Sequence, residues 1–188
     1  MNDRELVKKI INGDQNAFKQ LFEEYQHMVF NISYRMSGSQ EEAEDITQDV
    51  FIKIFHAVGK FRGDAKLSSW IYRIAVNTCL KRERRKKLEN WISLDFLFQG
   101  KKQFQPIANE KSPHQKVEIS ETEQIVQQAI NQLPARQKTA LILHRYEYLS
   151  YKEIAQVMEI SLSAVESLLH RAKDNLTKKL LPMKKYLR

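Results

Sequence analysis

A chain of 188 residues with 42% hydrophobic side chains carries enough apolar material for one domain or two small ones, which excludes wholesale disorder. Its formal net charge of +8 points to an anionic partner, and the cations are clustered, with Lys81, Arg82, Arg84, Arg85, Lys86 and Lys87 in one short run. The single cysteine, Cys79, excludes an internal disulfide, and no run nears the roughly 18 apolar residues needed to span a bilayer.

The N-terminus, MNDRELVKK, lacks the apolar core of a signal peptide, so a cytoplasmic protein is expected. Gly and Pro are scarce, and apolar residues recur at three and four, which predicts an all-α fold. Residues 2–12 fit a short amphipathic helix with Leu6, Val7, Ile10 and Ile11; Gly13 and Asp14 break and recap the chain. Phe18, Leu21, Phe22, Tyr25, Val29, Ile32 and Met36 then form the stripe of one long helix, its aromatics read as core, stopped at Ser37-Gly38.

Ser39 with Glu42 predicts a capping box for the next helix, which buries Ala43, Ile46, Val50, Ile54 and Ala57. Its outer side is acidic, unusual in a basic chain: Glu41, Glu42, Glu44, Asp45 and Asp49 precede Lys53. The helix dipole accounts for Glu41 and Glu42 but not for Asp49, more than two turns in. Asp45, Gln48, Asp49, Ile52 and Phe55 mix acid, amide and exposed apolar groups, the composition of a protein-docking face that DNA would repel.

A loop with Lys60, Phe61 and Arg62 leads to a helix with Leu67, Ile71, Ile74 and Ala75 on one side. Along another side Trp70, Arg73, Asn77, Lys81 and Arg84 follow helical spacing. A lone Trp is more often core than contact; aligned with Arg, Asn and Lys it suggests base stacking beside backbone-neutralising cations. The 27-residue stretch from Phe61 to Lys87 thus runs from a Gly- and Asp-containing loop through a helix of aromatic, polar and basic side chains to a basic tail, the order of a surface that meets a nucleic-acid strand.

Residues 88–120 break the periodicity and are read as a linker of low regular structure, with an apolar cluster at Trp91, Ile92, Leu94 and Phe96–Phe98. Ser120 with Glu123 predicts a second capping box, opening a helix that ends at Pro134; another spans 135–148, with Ala140, Leu141, Leu143 and His144 inside. Ser150 with Glu153 caps the next, and Ser161 a last long one with Val165, Leu168, Leu169 and Leu176. Two helices, a tight turn, and small Ala155 at the crossing predict a helix-turn-helix, with Glu159 where such turns often carry Gly.

With these residues in view, the chain resembles a bacterial RNA polymerase sigma factor of the extracytoplasmic-function (ECF) group over nearly its whole length. AEDITQDVFIKIF (43–55) is similar to the polymerase-binding helix of region two. FRGDAKLSSWIYRIAVNT (61–78) resembles the segment that opens and reads the minus-ten element. LSYKEIAQVMEISLSAVESLLHRAKDNL (149–176) resembles the region-four helix-turn-helix that reads the minus-thirty-five element as duplex.

The resemblance implies two helical domains, at 1–90 and 121–188, joined by a flexible linker at 91–120, with core RNA polymerase and promoter DNA as partners. It places Asp45, Gln48, Asp49, Ile52 and Phe55 at the polymerase, matching the acidic face above. Phe61 and Asn77 fall where the family holds a flipped-out non-template base, with Arg62 and Trp70 beside them; Arg73, Lys81 and Arg84 would hold phosphates. Lys152, Ser163, Glu166, Ser167, His170 and Arg171 fall at the major-groove face, where Glu166 departs from the usual basic residue. A carboxylate there accepts from a cytosine amino group or orients His170. An anti-sigma factor is a further implied partner, and no cofactor or metal is implied.

Two other classes fit parts of the chain. A helix-turn-helix regulator that is not a sigma factor accounts for the C-terminal half but leaves the stripe and the acidic face without a role. An all-α magnesium-dependent nucleotide hydrolase would use Glu41, Glu42, Asp45 and Asp49 as ligands with Glu23 and Glu24; no nucleophile–base set or phosphate-cradling Gly loop accompanies them, and the five histidines lack metal-ligand spacing with Cys79.

Overall fold

The computed structural model describes residues 2–99 and 121–186, and within them the chain is helical throughout. Helix α1 (Asp3–Ile11) has Asp3 and Glu5 in its first turn and Lys8 and Lys9 in its last, as the helix dipole favours. It buries Leu6, Val7 and Ile10. Asp14 caps α2 (Gln15–Ser37) by accepting from the amides of Asn16 and Ala17. Gly38 ends that helix at φ 77, a left-handed conformation that a Cβ would strain.

At the start of α3 (Gln40–Ala57) the expected capping box is half made. Ser39 Oγ accepts from the Glu42 amide, but Ser39's own amide donates to Ser37 Oγ. The Glu42 carboxylate turns to two cations of the next helix, Arg82 and Lys86, which offer it more than a neutral amide does. That helix, α4 (Leu67–Gln99), is longer than the sequence pattern suggested and continues through residues 91–99 of the expected linker. The apolar period is lost there, yet no helix breaker intervenes before Gly100, so backbone propensity carries the helix on. The Ser120 cap and the Gly- and Pro-containing stretch before it lie outside the described residues.

The second half comprises α5 (Glu121–Asn131), α6 (Ala135–Arg145), α7 (Tyr151–Met158) and α8 (Leu162–Leu180). α6 stops at Arg145, short of the expected 148, and its buried side includes Ala140, Ile142 and Leu143, with His144 exposed. Tyr148 beyond it stands at φ 55, a conformation no right-handed helix admits. Ser150 and Glu153 complete the predicted capping box of α7, and Ser161 caps α8.

α2, α3 and α4 pack around Leu21, Val29, Ile32, Ile46, Val50, Ile54, Leu67 and Ile71, with α1 laid across their end. Truncating a fully buried residue such as Leu21 or Ile71 to Ala would cost about 2–5 kcal/mol. The helix-turn-helix closes over Ile142, Leu143, Ile154, Val157 and Val165. One apolar cluster runs through both halves, because α6 packs on α2 and α7 packs on α4.

Candidate nucleic-acid interface

The loop before α4 is held from outside. Asp3 Oδ2 accepts from the Leu67 amide at 3.0 Å, so a side chain of α1 caps α4. Arg4 donates to the Gly63 carbonyl, and Gly63 itself sits at φ 74. Within this frame Phe61 meets Trp70 edge-on at 5.7 Å between ring centroids. Both rings are half-buried against the core, so Trp70 is packed on one side and offers the remainder of its surface as a platform. Arg62, Asn77, Lys81 and Arg84 are exposed.

The basic tail is not one surface. Arg82 reaches Asp45 at 2.8 Å and Glu42 and Asp49 at 3.6 Å each. Lys86 pairs with Glu42, Arg85 with Glu89 and Lys87 with Glu83. Lys81 and Arg84 have no acidic partner among the described residues. The run is therefore divided in the free chain between cations turned to α3 and cations turned to solvent. Arg82 and Lys86 bind the acids of α3, because helical phase turns them toward that helix.

On α3 the side chains of Asp45, Gln48, Asp49, Ile52 and Phe55 are all exposed. Ile52 and Phe55 keep 49% and 57% of their surface, far more than a fold needs to show. They front an apolar groove of about 660 Å³ whose other wall is Phe18, Phe22 and Phe30 of α2. Of the two aromatics expected in the core, Phe18 packs against it partly buried, whereas Phe22 keeps 38% of its surface. Leu21, Tyr25, Val29 and Ile32 fill the core as expected, and Phe18, Phe22, Gln26 and Phe30 form a second stripe at four-residue spacing along its edge. That spacing was the signal available for the groove.

In α8, Ser163, Glu166, Ser167, His170 and Arg171 are exposed together, as is Lys152 of α7. His170 Nδ1 lies 3.6 Å from Asp174, so the carboxylate beside it comes from the following turn rather than from Glu166. A second groove of about 850 Å³ runs between α6 and α8, lined by Leu141, Tyr151, Leu169, Leu176 and Leu180 and also by Glu166 and His170 of this face.

The seam between the halves is polar at its margins. Arg73 of α4 pairs with Glu159 at 3.0 Å and donates to the Gln156 carbonyl at 3.1 Å. Tyr72 Oη donates to Glu147 at 3.0 Å, and Lys66 lies 3.5 Å from Glu153. Lys138, buried to 5% exposure, donates to the Met36 carbonyl and to Asn131, each at 2.8 Å. Burial lowers the Lys138 ammonium and raises the Glu147 carboxyl. The Ser150 amide and hydroxyl lower Glu153 by hydrogen bonding its charged form. Burial pushes the Cys79 thiol up to about 12, which leaves it inert. Among the described residues no cluster of His, Cys, Asp or Glu could hold a metal, and no helix is long and apolar enough to cross a membrane.

Two family models match in the order the motifs require: sigma-70 region 2 over residues 21–89 and sigma-70 region 4 over residues 123–176. The RNA polymerase sigma-H factor of Pseudomonas aeruginosa is 37% identical over 186 residues, covering 96% of this chain and 95% of its own. The chain belongs to the ECF sigma factors. The ECF RNA polymerase sigma factor SigW of Bacillus subtilis is 32% identical over 93% of this chain and 94% of its own. The fold matches that of the sigma factor RpoE from Bartonella quintana, solved in complex with the anti-sigma factor NepR, at a TM-score of 0.65. That match has 22% identity and covers 87% of this chain and 96% of that one. A helix-turn-helix regulator of another kind and a nucleotide hydrolase are not favoured by these matches.

Proposed function

We propose that this ECF sigma factor binds core RNA polymerase through α3, reads the upstream promoter element as duplex through α8, and captures the melted minus-ten strand on α4. What carries this reading is the coexistence of an exposed acidic–apolar helix face with two separate DNA-suited surfaces in one chain. Asp45, Gln48, Asp49, Ile52 and Phe55 supply the first: apolar groups desolvate against the partner, and carboxylates select cations.

Extruding a base costs a few kcal/mol in stacking and pairing, which must be offset by a pocket and a stacking surface. The Phe61–Trp70 pair offers an aromatic edge and Asn77 an exposed amide one helix face along, able to donate and accept. Arg62, Arg73, Lys81 and Arg84 neutralise phosphates and position the strand without carrying sequence information. On α8, Ser163, Glu166, Ser167, His170 and Arg171 meet base edges, Glu166 accepting from a cytosine amino group, while Lys152 meets backbone.

The boundaries 1–90, 91–120 and 121–188 serve as the functional division, the middle segment letting the halves reach two promoter elements. The protein works by binding and not by catalysis, needs no cofactor, and acts in the cytoplasm with polymerase. An anti-sigma factor is a further partner in this reading, as RpoE from Bartonella quintana has in its solved complex. The test is reconstitution: purified chain added to core polymerase must produce promoter-dependent initiation. Binding to promoter duplex without initiation would refute it.

A further inference from the structure

The helix that carries the stripe begins without a cap of its own. Lys66 precedes α4, and a lysine side chain has no oxygen to accept from the first amides of a helix. That acceptor comes from the far end of the sequence: Asp3 takes the Leu67 amide at 3.0 Å. An acid at the start of α1 needs only the dipole to explain it, and exposed Glu5 is explained that way. Asp3 is different. It lies three, four and seven residues before the buried Leu6, Val7 and Ile10, so it is on the core-facing side of α1 and half-buried there. A carboxylate in that position requires a donor, and Leu67 supplies it.

Arg4 holds the middle of the same loop. Its Nη2 donates to the Gly63 carbonyl at 3.3 Å, and a Cβ on Gly63 would come within 2.8 Å of Arg4 Nε. Glycine is therefore required at 63 twice over, for φ 74 and for the guanidinium laid against the backbone. The loop's first residue is anchored from the same side. The Phe61 amide donates to Val58 at 3.1 Å, and Val58–Lys60 is a single helical turn that packs on α1.

We propose that Asp3 and Arg4 are positioning residues for strand capture, with α1 a brace that presets the loop from Phe61 to Lys66. A loop already fixed at its start, middle and end loses less conformational freedom when it closes on a base. Neither side chain needs to touch the base, because each acts through the backbone that carries Phe61. The inference rests on the proposal that this loop takes a melted base.

The test uses core polymerase reconstituted with the full chain and a fluorescent minus-ten single strand, intact or with each base in turn replaced by an abasic site. With the parent chain, the abasic site that weakens binding most marks the captured base, and Phe61→Ala should lessen that penalty. Asp3→Ala should weaken the intact strand about three- to tenfold, within the range of a lost helix cap, and lessen the penalty by the same factor. Asp3→Asn keeps an oxygen able to accept from the Leu67 amide, and should restore both. Arg4→Ala should also lessen the penalty; loss of a phosphate contact alone would weaken intact and abasic strands equally. Polymerase affinity should stay at the parental value in every variant.

A parental penalty in Asp3→Ala, where Phe61→Ala has lost it, would overturn the brace and leave the capture reading standing. So would equal weakening of intact and abasic strands, failure of Asp3→Asn to restore them, or a fall in polymerase affinity, which would make Asp3 a residue of the fold alone. If Phe61→Ala itself keeps the parental penalty, the capture reading of the loop fails, and the inference falls with it.

Discussion

Replacing Arg82 with Ala separates two roles that the basic run could play. Arg82 is 32% exposed and faces three carboxylates, of which Glu42 is 12% exposed and Asp45 and Asp49 are more than half exposed. Exposed pairs contribute about 0.2–1 kcal/mol each, and Lys86 remains to neutralise Glu42, so removing the network costs about 1–2 kcal/mol. In a chain of this size that lowers Tm by about 2–8 °C. The fall should shrink in high salt, where screening weakens the pairs already. Strand binding should behave differently. The slope of log affinity against log salt falls by about 0.7 for each single-strand phosphate that is no longer neutralised. Arg84→Ala, at a cation without an acidic partner among the described residues, should show that fall, and Arg82→Ala should not. Thermal melts at two salt concentrations and anisotropy titrations with a minus-ten oligonucleotide measure both. An unchanged Tm with a reduced slope for Arg82→Ala would refute the assignment of Arg82 to α3.

Asn77→Ala should weaken open-complex formation, read by permanganate reactivity of the melted strand, with polymerase binding retained; unchanged reactivity removes Asn77 from strand capture. Charge reversal at Asp45 and Asp49 together should lower affinity for core polymerase at least tenfold in a pull-down titration, about 1.4 kcal/mol or more. Glu147 gives a pH effect. Its folded value is raised by burial, so the folded state binds its proton more tightly. Its contribution is full below the unfolded value of about 4.3 and is lost as pH rises through the raised folded value. Glu147→Gln keeps an acceptor for Tyr72 and removes the titration, so above that window it should melt higher than the parent, whereas equal melting profiles would argue against a burial cost at Glu147.

What sequence could and could not reveal follows from the range of each interaction. Caps are local: Asp14, Gly38, Ser150 with Glu153, and Ser161 act within four residues, and each is where the pattern put it. The exposed mixture on α3 and the stripe from Trp70 to Arg84 are readable from helical phase alone. The direction in which Arg82 points is not, because α3 competes for it across the bundle. Lys138 was invisible for the same reason: a lysine beside Thr139 and Ala140 is expected in solvent. Its burial depends on the end of α2, where Met36 leaves a carbonyl unpaired within its own helix. Glu159 was legible as an oddity only. Its partner Arg73 lies in the other half of the chain, and no local pattern names it.

The two DNA surfaces differ in availability in the closed chain. Ser163, Glu166, Ser167, His170 and Arg171 of α8 are all exposed, and none of them takes part in the seam with α4. Arg73 on α4 is engaged, and the Phe61–Trp70 pair beside it is half-buried. Asn77, Lys81 and Arg84 of α4 nonetheless stay exposed, so Arg73 is the member of that stripe that the second half occupies. The α3 face is also open, and its acids are paired to a side chain, Arg82, that cations of a partner could displace.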